Sequence, residues 1–108
     1  MAELNSDRAL IKIDAQVDQA GDVIVSLSGE LDSSNAASLE AALASVTAAQ
    51  PGRVVFDLGE LRFVDSAGIA VLVGVTGKVE EVELRHPSPI VRRVVEITGL
   101  AQLLGMEP

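Results

Sequence analysis

Cysteine is absent from the 108 residues, and so are tryptophan and tyrosine. Without cysteine there are no disulfides, no thiolate nucleophile and no cysteine-ligated metal, a usage that fits a reducing, cytoplasmic setting. Aromatic residues are limited to Phe56 and Phe63. The core must therefore be built from Val, Leu, Ile and Ala, which suits a helix-covered sheet better than an aromatic-stacked site for bases or sugars. Positive charge is also scarce. Lys and Arg total 8 against 16 Asp and Glu, for a formal net charge of -8. A phosphate backbone needs a basic patch, so nonspecific binding to nucleic acid or to an anionic membrane is disfavoured, and neither is expected as a direct partner. No basic stretch leads into a long apolar run at the start, so no signal peptide is expected. The most apolar window, 63–75, contains Asp65 and is too short to span a bilayer.

What is present is one small domain's worth of chain, 48% hydrophobic, with no repeat or linker. A single domain over 1–108 is expected, with polar residues 1–8 frayed. From Ile11 to Val17 apolar and polar residues alternate, which predicts a strand. Gln19-Ala20-Gly21-Asp22 supplies a turn, and Val23, Val25 and Leu27 alternate again, so the chain opens on a β-hairpin whose second strand ends near Ser28-Gly29-Glu30. Asp32, Ser33, Ser34 and Asn35 are all helix-capping residues, and Leu39, Leu43 and Val46 follow at helical spacing, predicting a helix over roughly 34–48. Pro51-Gly52 breaks it. Arg53 to Leu58 is apolar on both faces, the pattern of a central strand covered on each side. A polar link, Gly59-Glu60-Leu61-Arg62, separates it from Phe63-Val64 and from Asp65-Ser66-Ala67-Gly68. The apolar run that follows, Ile69 to Val75, reads equally as a buried strand or as a helix capped by Asp65 or Ser66. A further strand is expected near 79–85. Ser88 as cap, Pro89 in the first turn and Gly99 at the end bound a last helix. The tail 100–108, with Leu100, Leu103, Leu104 and Met106, reads as a short packing segment. The order is β-β-α-β-(α)-β-α, and strands joined through helices imply parallel neighbours.

Chemistry narrows to Ser66. A hydrolase elbow needs glycine two residues before the serine, where Val64 stands, and His86 is the only histidine available as a base. Asp57 and Asp65 stand near strand ends, without the spacing of a metal site. Gly74-Val75-Thr76-Gly77-Lys78 lacks both the spacing and the trailing Ser or Thr of a phosphate loop. No catalytic residue, cofactor or metal is expected. On the residues alone, Ser66 is a helix cap or an exposed hydroxyl open to modification.

Five segments together resemble the STAS domain family, in particular the bacterial anti-sigma factor antagonists. They are Ser28-Gly29-Glu30-Leu31-Asp32, Val54-Val55-Phe56-Asp57-Leu58, Phe63-Val64-Asp65-Ser66-Ala67-Gly68, Pro87-Ser88-Pro89-Ile90-Val91-Arg92-Arg93-Val94 and Thr98-Gly99-Leu100. The resemblance spans about 9–104. It implies an α/β fold, a small mixed sheet of four to five strands with helices packed on it, and it tips 66–75 to helix. It further implies that Ser66 is phosphorylated by a cognate anti-sigma factor that is also a serine kinase. The unphosphorylated chain would bind that kinase and release the sigma factor, and a serine phosphatase would restore it. Asp32 and Ser33 would lie beside Asp65, Ser66, Ala67 and Gly68 and complete the partner surface, with Ala67 and Gly68 keeping the serine reachable. In one respect the chain departs from that family: the segment behind Ser66 is apolar almost all round and about one turn short. Such a helix offers a larger hydrophobic contact to a partner or to a second copy in a homodimer. The rival expectation is an adaptor subunit of the same fold, docking onto a transporter ATPase or a stress-signalling scaffold, with Ser66 only capping.

Overall fold

The computed structural model describes residues 11–99 and 102–106. The segment 1–8, expected to be frayed, lies outside them. Five strands and three helices alternate in the order β1 (Ile11–Val17), β2 (Val23–Leu31), α1 (Ala36–Ala48), β3 (Arg53–Val64), α2 (Ser66–Thr76), β4 (Glu81–Arg85), α3 (Pro89–Thr98) and β5 (Gly105–Met106). The sheet runs β1-β2-β3-β4-β5. The β1–β2 hairpin is antiparallel and the other three pairs are parallel, each joined by a helix because a parallel neighbour requires a crossover. This is the mixed α/β sheet expected, with five strands.

One apolar cluster holds it together. Val25 and Leu27 of β2, Val54, Phe56 and Leu58 of β3 and Leu84 of β4 meet Leu39 and Leu43 of α1, Ile69 and Leu72 of α2, and Val91 and Val95 of α3. All three helices thus cover the same face. Phe56, the largest buried side chain, sits at the centre on the middle strand. Each such side chain removed from water contributes about 1.5–3 kcal/mol, so the sheet–helix contact is the dominant stabilising term.

The expectation that β3 is covered on both sides fails. The opposite face carries Lys12, Asp14, Gln16, Ser26, Arg53, Asp57, Glu83 and Arg85 and no helix. Val55 is nonetheless fully buried there. It is flanked in register by Ile24 and Glu83, and along its own strand by Arg53 and Asp57. Arg53 pairs with Glu83 and stands 3.8 Å from Asp22, and Arg85 reaches Glu83 at 3.7 Å. The stems of these long side chains shield the valine, and Arg53 Nε is itself buried within the cluster.

β3 is longer than the sequence pattern suggested. The polar link 59–62 is continuous strand, twice bulged. Ser26 faces Asp57 but Ser28 faces Glu60, and Gly29 faces Leu61 but Glu30 faces Phe63, so β3 gains one residue at each step. The inward positions are therefore Leu58, Leu61 and Val64, three apart instead of two. Smaller corrections follow the same local logic. β2 runs on to Leu31, α1 begins at Ala36 because Ser34 and Asn35 belong to the preceding turn, and β4 begins at Glu81. The tail is more than packing: Leu104 is buried, and Gly105–Met106 pairs with Glu83 and Leu84 as an edge strand. α3 has the caps expected, with Ser88 Oγ accepting from Val91 N–H at 3.2 Å, Pro89 in the first turn and Gly99 at φ 76°.

Candidate functional site

The ends of β2 and β3 lie side by side, Leu31 opposite Val64, and both chains turn there into helices. Asp65 N–H donates to Leu31 C=O at 3.1 Å, holding the two exits together. Asp65 caps α2: its Oδ1 accepts from Gly68 N–H at 3.1 Å, the bond that satisfies a first-turn amide. Its other oxygen, Oδ2, accepts from Ser33 N–H at 3.2 Å. One carboxylate thus ties the serine turn to the Asp32–Asn35 turn across 32 residues of sequence. This cap, with Gly68, Ile69, Leu72 and Val75 buried at helical spacing, makes 66–76 a helix. The β-branched run concealed that period because exposed Ala70 and the flanking, half-buried Val71 and Val73 are apolar too.

Ser66 is the first residue of α2 and is exposed. Its position at the helix start places it in the positive field of the dipole. Ala67 beside it is half-buried and small. Gly68 is buried beneath the site, and the reason for glycine there is packing, not access. A Cβ on Gly68 would stand 2.6 Å from Leu31 Cγ and 2.8 Å from Val64 Cγ2, which no real contact tolerates. The absent side chain lets α2 start directly against the ends of both strands.

The second half of the site is the turn 32–35. Ser34 Oγ–H and Ser34 N–H both donate to Asp32 Oδ1, at 2.5 and 2.8 Å. These bonds, the hydroxyl's first, hold the Asp32 carboxyl below its ordinary pKa. Asn35 is 3% exposed, and its side chain turns back instead of capping α1. Its Nδ2 donates to Glu30 C=O at 2.8 Å and its Oδ1 accepts from Asp32 N–H at 3.0 Å. The geometry brings Asp32, Ser33, Asp65, Ser66 and Ala67 to one surface at the C-terminal end of the parallel strands, where open α/β sheets place their sites. Asn35 is the residue sequence reasoning passed over. It stood in a run of capping residues, and nothing local shows that it reaches backwards. His86 and Asp57, 3.3 Å apart, lie on the helix-free side, where Asp57 also accepts from Gly59 N–H.

Among the described residues no helix is long and apolar enough to cross a membrane, and no three His, Asp or Glu side chains are grouped to hold a metal ion.

Comparison with known proteins agrees with this architecture. The family model described as "Mlab, STAS domain" matches residues 15–105. BtrV of Bordetella bronchiseptica, which is named as an anti-sigma factor antagonist, is 38% identical over 87 residues, covering 77% of this chain and 75% of its own. The crystal structure of an anti-sigma factor antagonist from Mycobacterium paratuberculosis superimposes with a TM-score of 0.79 at 32% identity, covering 91% of this chain and 86% of that one. SpoIIAA of Bacillus shares the fold in its unphosphorylated and phosphorylated forms, at TM-scores of 0.74 and 0.67 and identities of 23% and 22%, covering 90% of this chain and 89% and 92% of theirs. The chain belongs to the STAS domain family, among the anti-sigma factor antagonists.

Proposed function

We propose that this chain binds a cognate anti-sigma factor through the surface around Ser66 and that phosphorylation of Ser66 switches the binding off. Antagonism is a binding function, so the chain itself catalyses nothing. The kinase is the anti-sigma factor, and a serine phosphatase returns the chain to its binding form in the cytoplasm. The observation that carries the reading is the exposed Ser66 hydroxyl at the start of α2, beside a carboxylate whose two oxygens are already engaged by Gly68 and Ser33 amides.

That arrangement favours a charge switch over a conformational one. Phosphorylation adds about -1.5 to -2 charges. The helix start tolerates an anion, so the fold survives. A partner seated on the neutral hydroxyl does not, because it would bury an anion next to Asp65 and Asp32 with nothing to pair it. Desolvating such a charge costs several kcal/mol in order of magnitude, enough to abolish a micromolar contact. The Asp65–Ser33 bond keeps both turns in place in either state, so the difference between states is confined to the phosphoryl group.

The test is incubation with candidate anti-sigma kinases and ATP, followed by mass spectrometry to place the phosphate. Modification at Ser66, lost in Ser66→Ala, supports the switch. An adaptor role is supported instead by a chain that no such kinase modifies and that binds its partners equally well as Ser66→Asp.

A further inference from the structure

The outer edge of the hairpin has a feature that the Ser66 switch does not use. β1 pairs with β2 from Ile11 to Val17 without a register shift, and among the described residues no strand lies beside its other edge. Natural edges are commonly blunted by proline, by a bulge or by several lysines. β1 has neither proline nor bulge, and its charged residues are one lysine, Lys12, and Asp14. Its apolar side is also incompletely covered. Ile11 and Ile13 pack on the core, but Ala15 is exposed and Val17 is 69% exposed.

We infer that β1 is the dimerisation edge of this protein, pairing antiparallel with β1 of a second copy about a two-fold axis at Ala15. The strand is self-complementary in that register. A two-fold axis perpendicular to a continuous ten-strand sheet, five strands from each copy, pairs only residues that point to the same face. With the axis at Ala15, Ile13 faces Val17 of the second copy on the apolar side, Asp14 faces Gln16, and Lys12 faces Asp18, one residue past β1 in the turn, where its Oδ1 accepts from the Ala20 and Asp22 amides. Ala15 meets Ala15, a small pair that lets the strands close. An axis at Asp14 opposes two aspartates, and one at Gln16 opposes Asp14 to Asp18, each a like-charge pair directly across the ladder. An axis at Ile13 leaves Val17 outside the paired stretch. The Ala15 register alone covers the exposed valine and matches the charges.

The dimer leaves the switch surface open. Ala15 faces Val25 of β2, six residues before Leu31, so the axis lies roughly 20 Å along the strand from the Ser66 end. Each dimer therefore presents two Ser66 surfaces, and a dimeric or clustered partner would bind it with avidity.

Sedimentation velocity over a concentration series tests this. Seven residues of strand form a small interface, so the expected Kd is on the order of 100 μM. Ala15→Glu places two carboxylates across the axis at an exposed position and is expected to be monomeric throughout, with an unchanged circular dichroism spectrum. Gln16→Lys sets a cation opposite Asp14 and is expected to tighten the dimer several-fold. A wild-type chain that stays monomeric at about 1 mM overturns the inference. So does a dimer that Ala15→Glu leaves intact or that Gln16→Lys weakens.

Discussion

Asn35 and Asp32 show how much of the turn beside Ser66 rests on single side chains. Asn35 is buried and satisfies two backbone groups, Glu30 C=O and Asp32 N–H. Asn35→Ala leaves both unpaired and is expected to lower stability by about 2–3 kcal/mol in urea unfolding, at the upper end for one lost polar side chain. The Asp32 carboxyl is held below its ordinary pKa by Ser34, so its folded form releases its proton more readily than the unfolded chain does. A depressed folded pKa means a contribution present above the unfolded pKa and lost as pH falls through the folded value. In a carbon-detected NMR titration, Asp32 is expected to titrate below pH 3.8, its ordinary value, and Ser34→Ala to move it back up. Neither residue's role was legible in the sequence beyond a cluster of capping types. The partners of Asn35 depend on how β2 ends, and that is a tertiary fact. The position of Ser66 at the head of a helix, by contrast, was legible, because its motif is contiguous and its neighbours in the chain are also its neighbours in space.

At the scale of elements, α2 offers a matched pair of glycines. Gly68 faces Leu31 and Val64 with no room for a Cβ, whereas Gly74 faces open space. Gly68→Ala is expected to destabilise by about 1–3 kcal/mol through overpacking. Gly74→Ala is expected to stabilise by about 1 kcal/mol, since only the helical propensity changes. Urea unfolding of the two variants checks both signs. The elements themselves divided by how local their signals were. α3 was readable from Ser88, Pro89 and Gly99, whose capping roles are set within one turn. On pattern alone α2 was ambiguous because its flanking residues are as apolar as its buried ones, and the Asp65 cap on Gly68 with burial at helical spacing makes it the helix that the family resemblance implied. The second half of β3 was taken as a polar link because two bulges stretch its inward period from two to three. That disguise depends on the partner strand and has no signature in β3 alone.

For the whole molecule, the helices on one face and the ion pairs on the other give the sheet two unlike surfaces, and the three parallel crossovers bring the turns that precede α1 and α2 to one end. The hairpin edge lies off that end, so the proposed association through β1 would leave the proposed binding surface around Ser66 open. Fold class was legible from the alternation of strands and helices, while coverage of one face only was not, because Val55 is as buried as a core valine without any helix above it. The central claim is that charge at Ser66 governs partner binding on an otherwise unchanged fold. It is tested most directly by titrating the anti-sigma factor, in calorimetry, with unphosphorylated chain and with chain phosphorylated at Ser66 alone. The account predicts that phosphorylation weakens binding by about a hundredfold or more, equivalent to about 2.7 kcal/mol, while the circular dichroism and melting of the free chain stay nearly the same. Equal affinity of the two forms, with the phosphate located on Ser66, would contradict it.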